Sequence, residues 1–360
     1  MRICLLGDAG SVHIRRIATG LARRDHSVRV VSHKPGDIPG VSVERFAVPS
    51  FGWRHPVGWN RRLRAYLRWI MEAHDVVHLN FLHDWSLTLQ IIEAGRLVVS
   101  PWGSDIVKPP DLDEYPAELV QMRRTLLQTA DMVLVYGKAF VDSVASYAGL
   151  SVDAITSVPL GVDLELFRPT TRGSDDRTIV GFLKGFKSVY GPTVWMKAIP
   201  LVLSALPETR FEMVGDGPQL QQCQEMARKE GVTDAIVWME RIPHEQLPGV
   251  IGRWTLNVMP SLCEAFCVAA LESSAVEVPV VASRVGGLTE TVRDGETGLL
   301  VPPDDPEALA RGVVELLSDL PRREAMAQAG REMVAREYEW EDCLDKLEDA
   351  YERVCATVCV

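Results

Sequence analysis

Pro159-Leu-Gly-Val-Asp-Leu-Glu-Leu-Phe-Arg-Pro169, with the polar run on to Asp176, interrupts an otherwise regular chain. Pro and Gly punctuate it, and its flanks differ in charge, so it reads as a linker between two units. Before it, short apolar runs at Ile3 to Leu6, Val28 to Val31, Asp75 to Asn80, Leu97 to Ser100, Met132 to Val135 and Ala154 to Val158 predict strands. Helical stretches separate most of them. In the first, Ser11 to Arg24, Ile14, Ile17, Ala18 and Leu21 follow i, i+3, i+4, i+7 spacing. After the linker the alternation restarts: strands are predicted at Thr178 to Leu183, Arg210 to Val214, Ile236 to Met239, Leu256 to Met259 and Val278 to Ala282, and a helix at Thr193 to Ser204. Apolar strands alternating with helices imply parallel sheets covered on both faces. The economical reading is an α/β chain of two doubly wound, Rossmann-like units. Their boundaries are expected at 1–165 and 170–337, with the ligand in the crevice where strand C-termini open.

Composition agrees. The 360 residues are 47% hydrophobic and 24% charged, enough for two cores and unlike a disordered or low-complexity chain. No apolar run reaches the roughly 18–20 residues of a membrane span. Met1 to Gly10 stops at a Gly-Asp turn and reads as a first strand, not a secretion signal. The seven cysteines form no CxxC pair, so neither zinc nor a disulfide framework is indicated, and a reducing, cytoplasmic setting is expected. Residues 1–168 hold nineteen Lys and Arg against eighteen Asp and Glu; residues 169–360 hold nineteen against thirty-one. A deficit confined to the second half argues against general nucleic-acid binding.

The chemistry concentrates in Glu264-Ala-Phe-Cys-Val-Ala-Ala-Leu-Glu272. Following a strand and Pro260-Ser261, it predicts a strand-to-helix turn with a helix beginning near Phe266. Amide N–H groups at such a helix start suit a diphosphate. Eight helical residues span about 12 Å, roughly the reach from a sugar ring to a ribose across a pyrophosphate. An isolated pair of glutamates is also readable as a helix N-terminal acid and a solvated one. Two more segments accompany it: Val285-Gly-Gly-Leu-Thr-Glu-Thr-Val292, whose paired glycines permit close backbone approach to a ligand, and Val214-Gly215-Asp216-Gly217-Pro218, a strand ending in a Gly turn.

In this order, together with Ala130-Asp131, the Pro159 to Pro169 segment and the C-terminal Tyr338-Glu-Trp340, these motifs resemble the retaining glycosyltransferases of family 4, whose fold is called GT-B. The resemblance covers most of the chain. It implies two Rossmann-like domains facing each other across a cleft, the second holding a nucleotide-sugar donor of UDP- or GDP-hexose type and the first an acceptor. That acceptor is a carbohydrate, a lipid-linked molecule or a small molecule. It implies transfer to a hydroxyl with retention of configuration, no metal and no cofactor, and a final helix (339–358) packing back on the first domain. Glu264 would contact the donor sugar and Glu272 the ribose, with Phe266, Cys267, Val268, Gly215, Asp216, Gly217, Gly10 and Ser11 also on the donor.

The chain departs from the pattern in places. Cys267 stands where the family usually has Gly, and Phe182 where it usually has Arg. Lys184 and Lys187 lie in the following loop; either supplies the cation a departing diphosphate needs, Lys184 being nearer the strand end. Ser100-Pro-Trp-Gly-Ser-Asp105 occupies the place of a His-Gly-x-Asp, so Trp102 replaces a His and cannot shuttle a proton, while Asp105 matches the acid. His13, His83, Asp84 and Trp102 are the acceptor-side candidates, Asp84 being equally readable as a helix N-cap. Gly7 to His13 lacks GxGxxG, and Ser32-His33-Lys34 offers no acid for a dinucleotide ribose, which disfavours a dehydrogenase. Residues 51–70 carry five arginines and three tryptophans. Arg61, Arg64 and Arg68 share helical spacing, as do Leu63, Tyr66, Leu67 and Ile70. This element reads either as a peripheral membrane contact or as an ordinary amphipathic helix with solvated arginines. The rival functions are a sugar-nucleotide epimerase of the same fold and a catalytically weakened nucleotide-sugar-binding module.

Overall fold

The computed structural model describes residues 1–46, 61–92, 96–107, 115–169 and 177–357. They fall into two compact units. One gathers the chain from Met1 to Pro159 together with its end from Asp342; the other runs from Leu160 to Glu341.

In the first unit the order is β1 (Arg2–Leu6), α1 (Val12–Arg23), β2 (Ser27–Ser32), β3 (Ser42–Arg45), α2 (Arg61–Ala73), β4 (Val76–Asn80), β5 (Leu97–Ser100), α3 (Ala117–Thr129), β6 (Met132–Val135), α4 (Val141–Ala148) and β7 (Ile155–Ser157). Among the described residues these strands form one parallel sheet ordered β3-β2-β1-β4-β5-β6-β7. β4 is buried along its whole length, as a central parallel strand covered on both faces must be. α1 buries Ile14, Ile17, Ala18 and Leu21, the stripe its spacing predicts.

The second unit continues with β8 (Ile179–Leu183), α5 (Pro192–Ala205), β9 (Arg210–Val214), α6 (Leu220–Lys229), β10 (Ile236–Met239), α7 (Leu247–Ile251), β11 (Leu256–Met259), α8 (Val268–Ala275), β12 (Val280–Ser283), α9 (Leu288–Thr291), β13 (Gly298–Val301), α10 (Pro306–Ser318) and α11 (Leu320–Glu337). Its parallel sheet is ordered β10-β9-β8-β11-β12-β13. Both units therefore repeat the doubly wound order, in which the chain direction across the sheet reverses at the first strand. The reversal lies between β1 and β4 in one unit and between β8 and β11 in the other. Ligands of open α/β sheets bind outside strand C-termini at such a point. Two strands carry no prediction from the sequence. β3 is a half-buried edge strand, and β13 follows a Gly-rich turn that hides its short apolar run.

The last helix, α12 (Trp340–Thr357), belongs with the first unit from Asp342 onward. Leu344, Leu347, Tyr351 and Val354 form its buried stripe. The Tyr351 hydroxyl meets Nδ1 of His78 on β4 at 2.6 Å, and Arg24 and His26 pair with Glu348. The division between units falls at Pro159, so Leu160 to Glu165 goes with the second unit. Two backbone bonds explain this: the Val162 N–H donates to the Tyr338 carbonyl at 2.7 Å, and the Trp340 N–H donates to the Val162 carbonyl at 3.1 Å. Phe167 is wholly buried nearby.

In α2 the stripe Leu63, Leu67, Ile70 and Met71 is buried in the first unit's own core. That apolar face is therefore not free to enter a membrane. Its exposed face carries Arg61, Arg62, Arg64, Arg68 and Trp69. Arg29 lies over the Trp69 ring, 5.2 Å from its centroid. Residues 51–60 lie outside the described residues. No helix among the described residues is long and apolar enough to cross a membrane.

Candidate active site

At the switch point of the second unit, two loops meet. β8 ends at Leu183 and hands Lys184 to the loop before α5; β11 ends at Met259 and leads through Pro260 and Ser261 to Glu264. Lys184 Nζ lies 2.6 Å from Glu264 Oε2, and each side chain is only 12% exposed. The Tyr190 ring flanks the ammonium, 4.8 Å from Nζ to centroid. Burial alone would lower the Lys184 pKa, but the Glu264 carboxylate in contact with it outweighs this and holds the ammonium above its usual range. A buried cation in contact with a carboxylate and an aromatic face stays charged and keeps its remaining N–H donors for a further anion. Lys187, by contrast, is exposed at the mouth of the same loop.

The helix after Glu264 starts later than its sequence suggests. α8 begins at Val268, because Phe266 remains in the turn and Cys267 takes a left-handed backbone, φ +77°. Glu264 therefore precedes the helix while Glu272 lies within it, and the 12 Å helical span does not apply to the pair. The left-handed turn gives a physical reason for glycine at position 267 in the resemblance. A residue with a Cβ there costs about 1–2 kcal/mol. The Cys267 side chain is buried in a cluster with Met259, Ala270, Val280, Ala282 and Leu288, with Sγ 3.4 Å from Met259 Sδ, and it also interacts with the Lys184 ammonium. Burial pushes its thiol up to about 12. Phe266 and Val268 are also buried.

The paired glycines make a close approach to the neighbouring protein backbone. A Cβ on Gly286 would sit 2.0 Å from the Glu264 carbonyl oxygen, and one on Gly287 2.3 Å from Phe266 Cα; the Gly287 N–H donates to that same Glu264 carbonyl at 2.9 Å. Gly215 and Gly217 work alike on the other loop. Their φ values are +137° and +146°, and a Cβ on either would strike the carbonyl of Lys184 or Phe186. Asp216 contributes its carbonyl, which accepts the Phe186 N–H at 2.7 Å, while its side chain is exposed. These glycines fix the backbone that presents Lys184 and Glu264.

Glu272 is 7% exposed on α8, and its Oε1 lies 2.7 Å from Nε2 of His244. His244 opens a short turn after β10 and packs against Phe167, ring centroids 5.2 Å apart. Nothing in the sequence marks His244, which lies 28 residues from its partner and in no motif.

At the first unit's switch point the structure revises several roles. Asp105 is wholly buried, and its carboxylate accepts the N–H groups of Leu82 (3.0 Å), Trp102 (3.0 Å) and Gly103 (2.9 Å). It braces the turn that carries Trp102, and is not presented to a substrate. The Trp102 ring packs at a tilt against His13 (centroids 5.3 Å) and Tyr136 (4.7 Å). His83 packs against His33 at 4.5 Å and Phe81 at 4.7 Å. Burial first, then the nearby His33 and Lys34, push its pKa down to about 4, so its ring is neutral at neutral pH. The N-cap position belongs to His83, and Asp84 opens the short helical segment that follows. The Asp84 side chain lies outside the described residues. Ser11 is the N-cap of α1, and the Gly10 N–H is taken by Asp8 Oδ1 at 2.8 Å. Gly10, Ser11, His13, His83, Trp102 and Asp105 thus gather in the first unit. Lys184, Lys187, Gly215 to Gly217, Glu264, Phe266 to Val268 and Glu272 gather in the second. Among the described residues no His, Cys, Asp and Glu cluster is arranged to hold a metal.

Comparison with known proteins agrees with the geometry. Residues 165–333 match the family model of the glycosyl transferases group 1, and residues 10–166 that of Glycosyltransferase Family 4. The chain is 32% identical over 263 residues to the GDP-mannose-dependent alpha-(1-6)-phosphatidylinositol monomannoside mannosyltransferase of Mycolicibacterium smegmatis, covering 69% of this chain and 67% of that protein. It is 27% identical over 386 residues to the D-inositol 3-phosphate glycosyltransferase of Corynebacterium urealyticum, covering 96% and 91%. Among solved structures, the sucrose-phosphate synthase of Thermosynechococcus elongatus shares the fold with a TM-score of 0.82 at 21% identity, covering 99% of this chain and 100% of that one. Anabaena HepE, solved with UDP and glucose, does so with a TM-score of 0.83 at 18% identity, covering 98% and 99%. With the doubly wound order in each unit and the paired-glutamate turn at the second switch point, these matches show that the chain belongs to the group 1 glycosyl transferases of glycosyltransferase family 4 and is a glycosyltransferase.

Proposed function

We propose that this glycosyltransferase moves a hexose from a UDP- or GDP-sugar to an acceptor hydroxyl with retention of configuration, using protein groups and no metal to stabilise the leaving diphosphate. The observation that carries the reading is the buried Lys184–Glu264 pair at the end of β8, beside the start of α8. A diphosphate placed there meets the Lys184 ammonium and the first N–H groups of a helix, and both interactions strengthen as charge develops on the leaving oxygen. Glu264 holds Lys184 and faces the donor sugar; Glu272 takes the ribose hydroxyls. In the step itself the anomeric C–O bond breaks and its electron pair leaves with the diphosphate. The acceptor oxygen bonds to the same face, and its proton passes to a phosphate oxygen. The acceptor lies on the first unit, near His13, His83 and Trp102. The relatives named for inositol phosphate and phosphatidylinositol mannoside support a polyol or glycolipid acceptor. We place the enzyme in the cytoplasm, with the arginine face of α2 against acidic lipid headgroups.

Proton NMR of the product tests the mechanism: an α-linked product from an α-linked donor is expected, and a β-linked product contradicts retention. Full turnover in chelator-treated buffer is expected, and loss of turnover restored by a divalent cation contradicts the metal-free reading. Flotation with acidic liposomes tests the α2 surface; absence of binding at low salt refutes it.

A further inference from the structure

His244 has no role in the reading above, yet its surroundings are those of a built site. Glu272 is nearly buried, and a carboxylate in that position requires a donor. His244 supplies one at 2.7 Å. A carboxylate at neutral pH only accepts, so Nε2 carries the proton. The imidazole is itself held. Its ring packs on Phe167, which is wholly buried. The Phe167 carbonyl accepts from Arg331 of α11 at 3.2 Å, and the same guanidinium donates to the carbonyl of Ala275 at the end of α8. The contacts thus close a ring: from Glu272 to His244, to Phe167, to Arg331, and back to the helix that bears Glu272. Such a ring removes rotamer freedom from a side chain that must meet a ligand in one orientation.

We infer that His244 is a positioning residue of the donor site, which fixes the Glu272 carboxylate for the ribose hydroxyls of the nucleotide through its Nε2–Oε1 contact. This deepens the donor reading and rests on it. His244 acts through Glu272 and does not touch the reacting atoms. Its loss therefore lowers the preference for ribose over deoxyribose without lowering turnover at saturating donor.

The test is calorimetric titration of UDP and GDP, each beside its 2′-deoxy and 3′-deoxy forms, into wild type, His244→Ala, His244→Gln and Glu272→Gln. Wild type is expected to prefer the ribonucleotide by about tenfold, the scale of one hydrogen bond to a charged group. His244→Ala is expected to keep less than about threefold of that preference, with KM raised and kcat held. His244→Gln, whose carboxamide N–H₂ restores a donor, is expected to recover most of it. An undiminished preference in His244→Ala overturns the inference, as does a His244→Gln no better than His244→Ala. If Glu272→Gln abolishes the preference while His244→Ala keeps it, the donor reading stands and only the role of His244 falls. If wild type binds neither nucleotide, or shows no ribose preference, both fall together.

Discussion

In the proposed mechanism Lys184 and Glu272 are the two side chains on which the chemistry turns, and they separate cleanly by the quantity each would control. As proposed, Lys184 meets charge that grows during the reaction, so Lys184→Ala is expected to lower kcat about a hundredfold while changing nucleotide affinity less than tenfold. Steady-state rates beside titrations measure this; an unchanged kcat would move the role to the exposed Lys187. As proposed, Glu272 meets hydroxyls present before and after the step. Glu272→Ala is expected to weaken nucleotide binding by about 1.5–3 kcal/mol, the value of a charge-assisted hydrogen bond, and calorimetry reads it directly. An affinity within twofold of wild type would contradict the ribose assignment. At this scale the sequence was partly legible. Lys184, Glu264 and Glu272 stand in motifs or beside strand ends. Asp105 stands in one too, but its position revealed nothing of the three amides that claim its carboxylate. His244 was hidden because its contact with Glu272 exists only once β10 and α8 are packed.

The elements show why the site forms at all. β8 and β11 are neighbours in the sheet, so the loops that follow them open side by side, and glycine-bearing turns from β9 and β12 press on those loops from behind. Gly286→Ala puts a Cβ 2.0 Å from the Glu264 carbonyl oxygen in a backbone already at φ +39°. The expected cost is about 1–3 kcal/mol in unfolding free energy by denaturant titration, with loss of turnover because the Glu264 turn shifts. A midpoint equal to wild type would contradict this account of the paired glycines. The alternation of apolar runs made most strands readable, since buried parallel strands need continuous hydrophobic sequence. It failed at β3, whose edge position leaves it half polar, and at the start of α8, where the left-handed Cys267 delays the helix by a turn's beginning that residue type does not disclose.

At the scale of the whole molecule, the chain's end serves the first unit. α12 brings Tyr351 to His78, which is wholly buried and hydrogen-bonded on its other nitrogen to Ser100 at 2.7 Å. Burial drives the His78 pKa down to about 3 from an ordinary 6.5. In the unfolded chain it protonates below 6.5, so the unfolded state binds more protons and stability falls as pH drops from 6.5 toward 3. His83, lowered to about 4, acts in the same direction. His78→Gln is therefore expected to flatten the stability-versus-pH curve across that window, measured by urea midpoints; an unchanged slope would contradict the buried neutral His78. The two units share one sheet order; in the proposed mechanism each carries a different part of the chemistry, and the acidic excess lies in the half proposed to hold the donor. Lys184 and the start of α8 must then supply the local positive field that net charge does not. The most direct measurement of that claim is a crystal structure with UDP or GDP bound. The account predicts the diphosphate within hydrogen-bond reach of Lys184 Nζ and the first amides of α8, with the ribose on Glu272. A nucleotide bound elsewhere, with no phosphate oxygen at Lys184 Nζ and no ribose hydroxyl at Glu272, would contradict it.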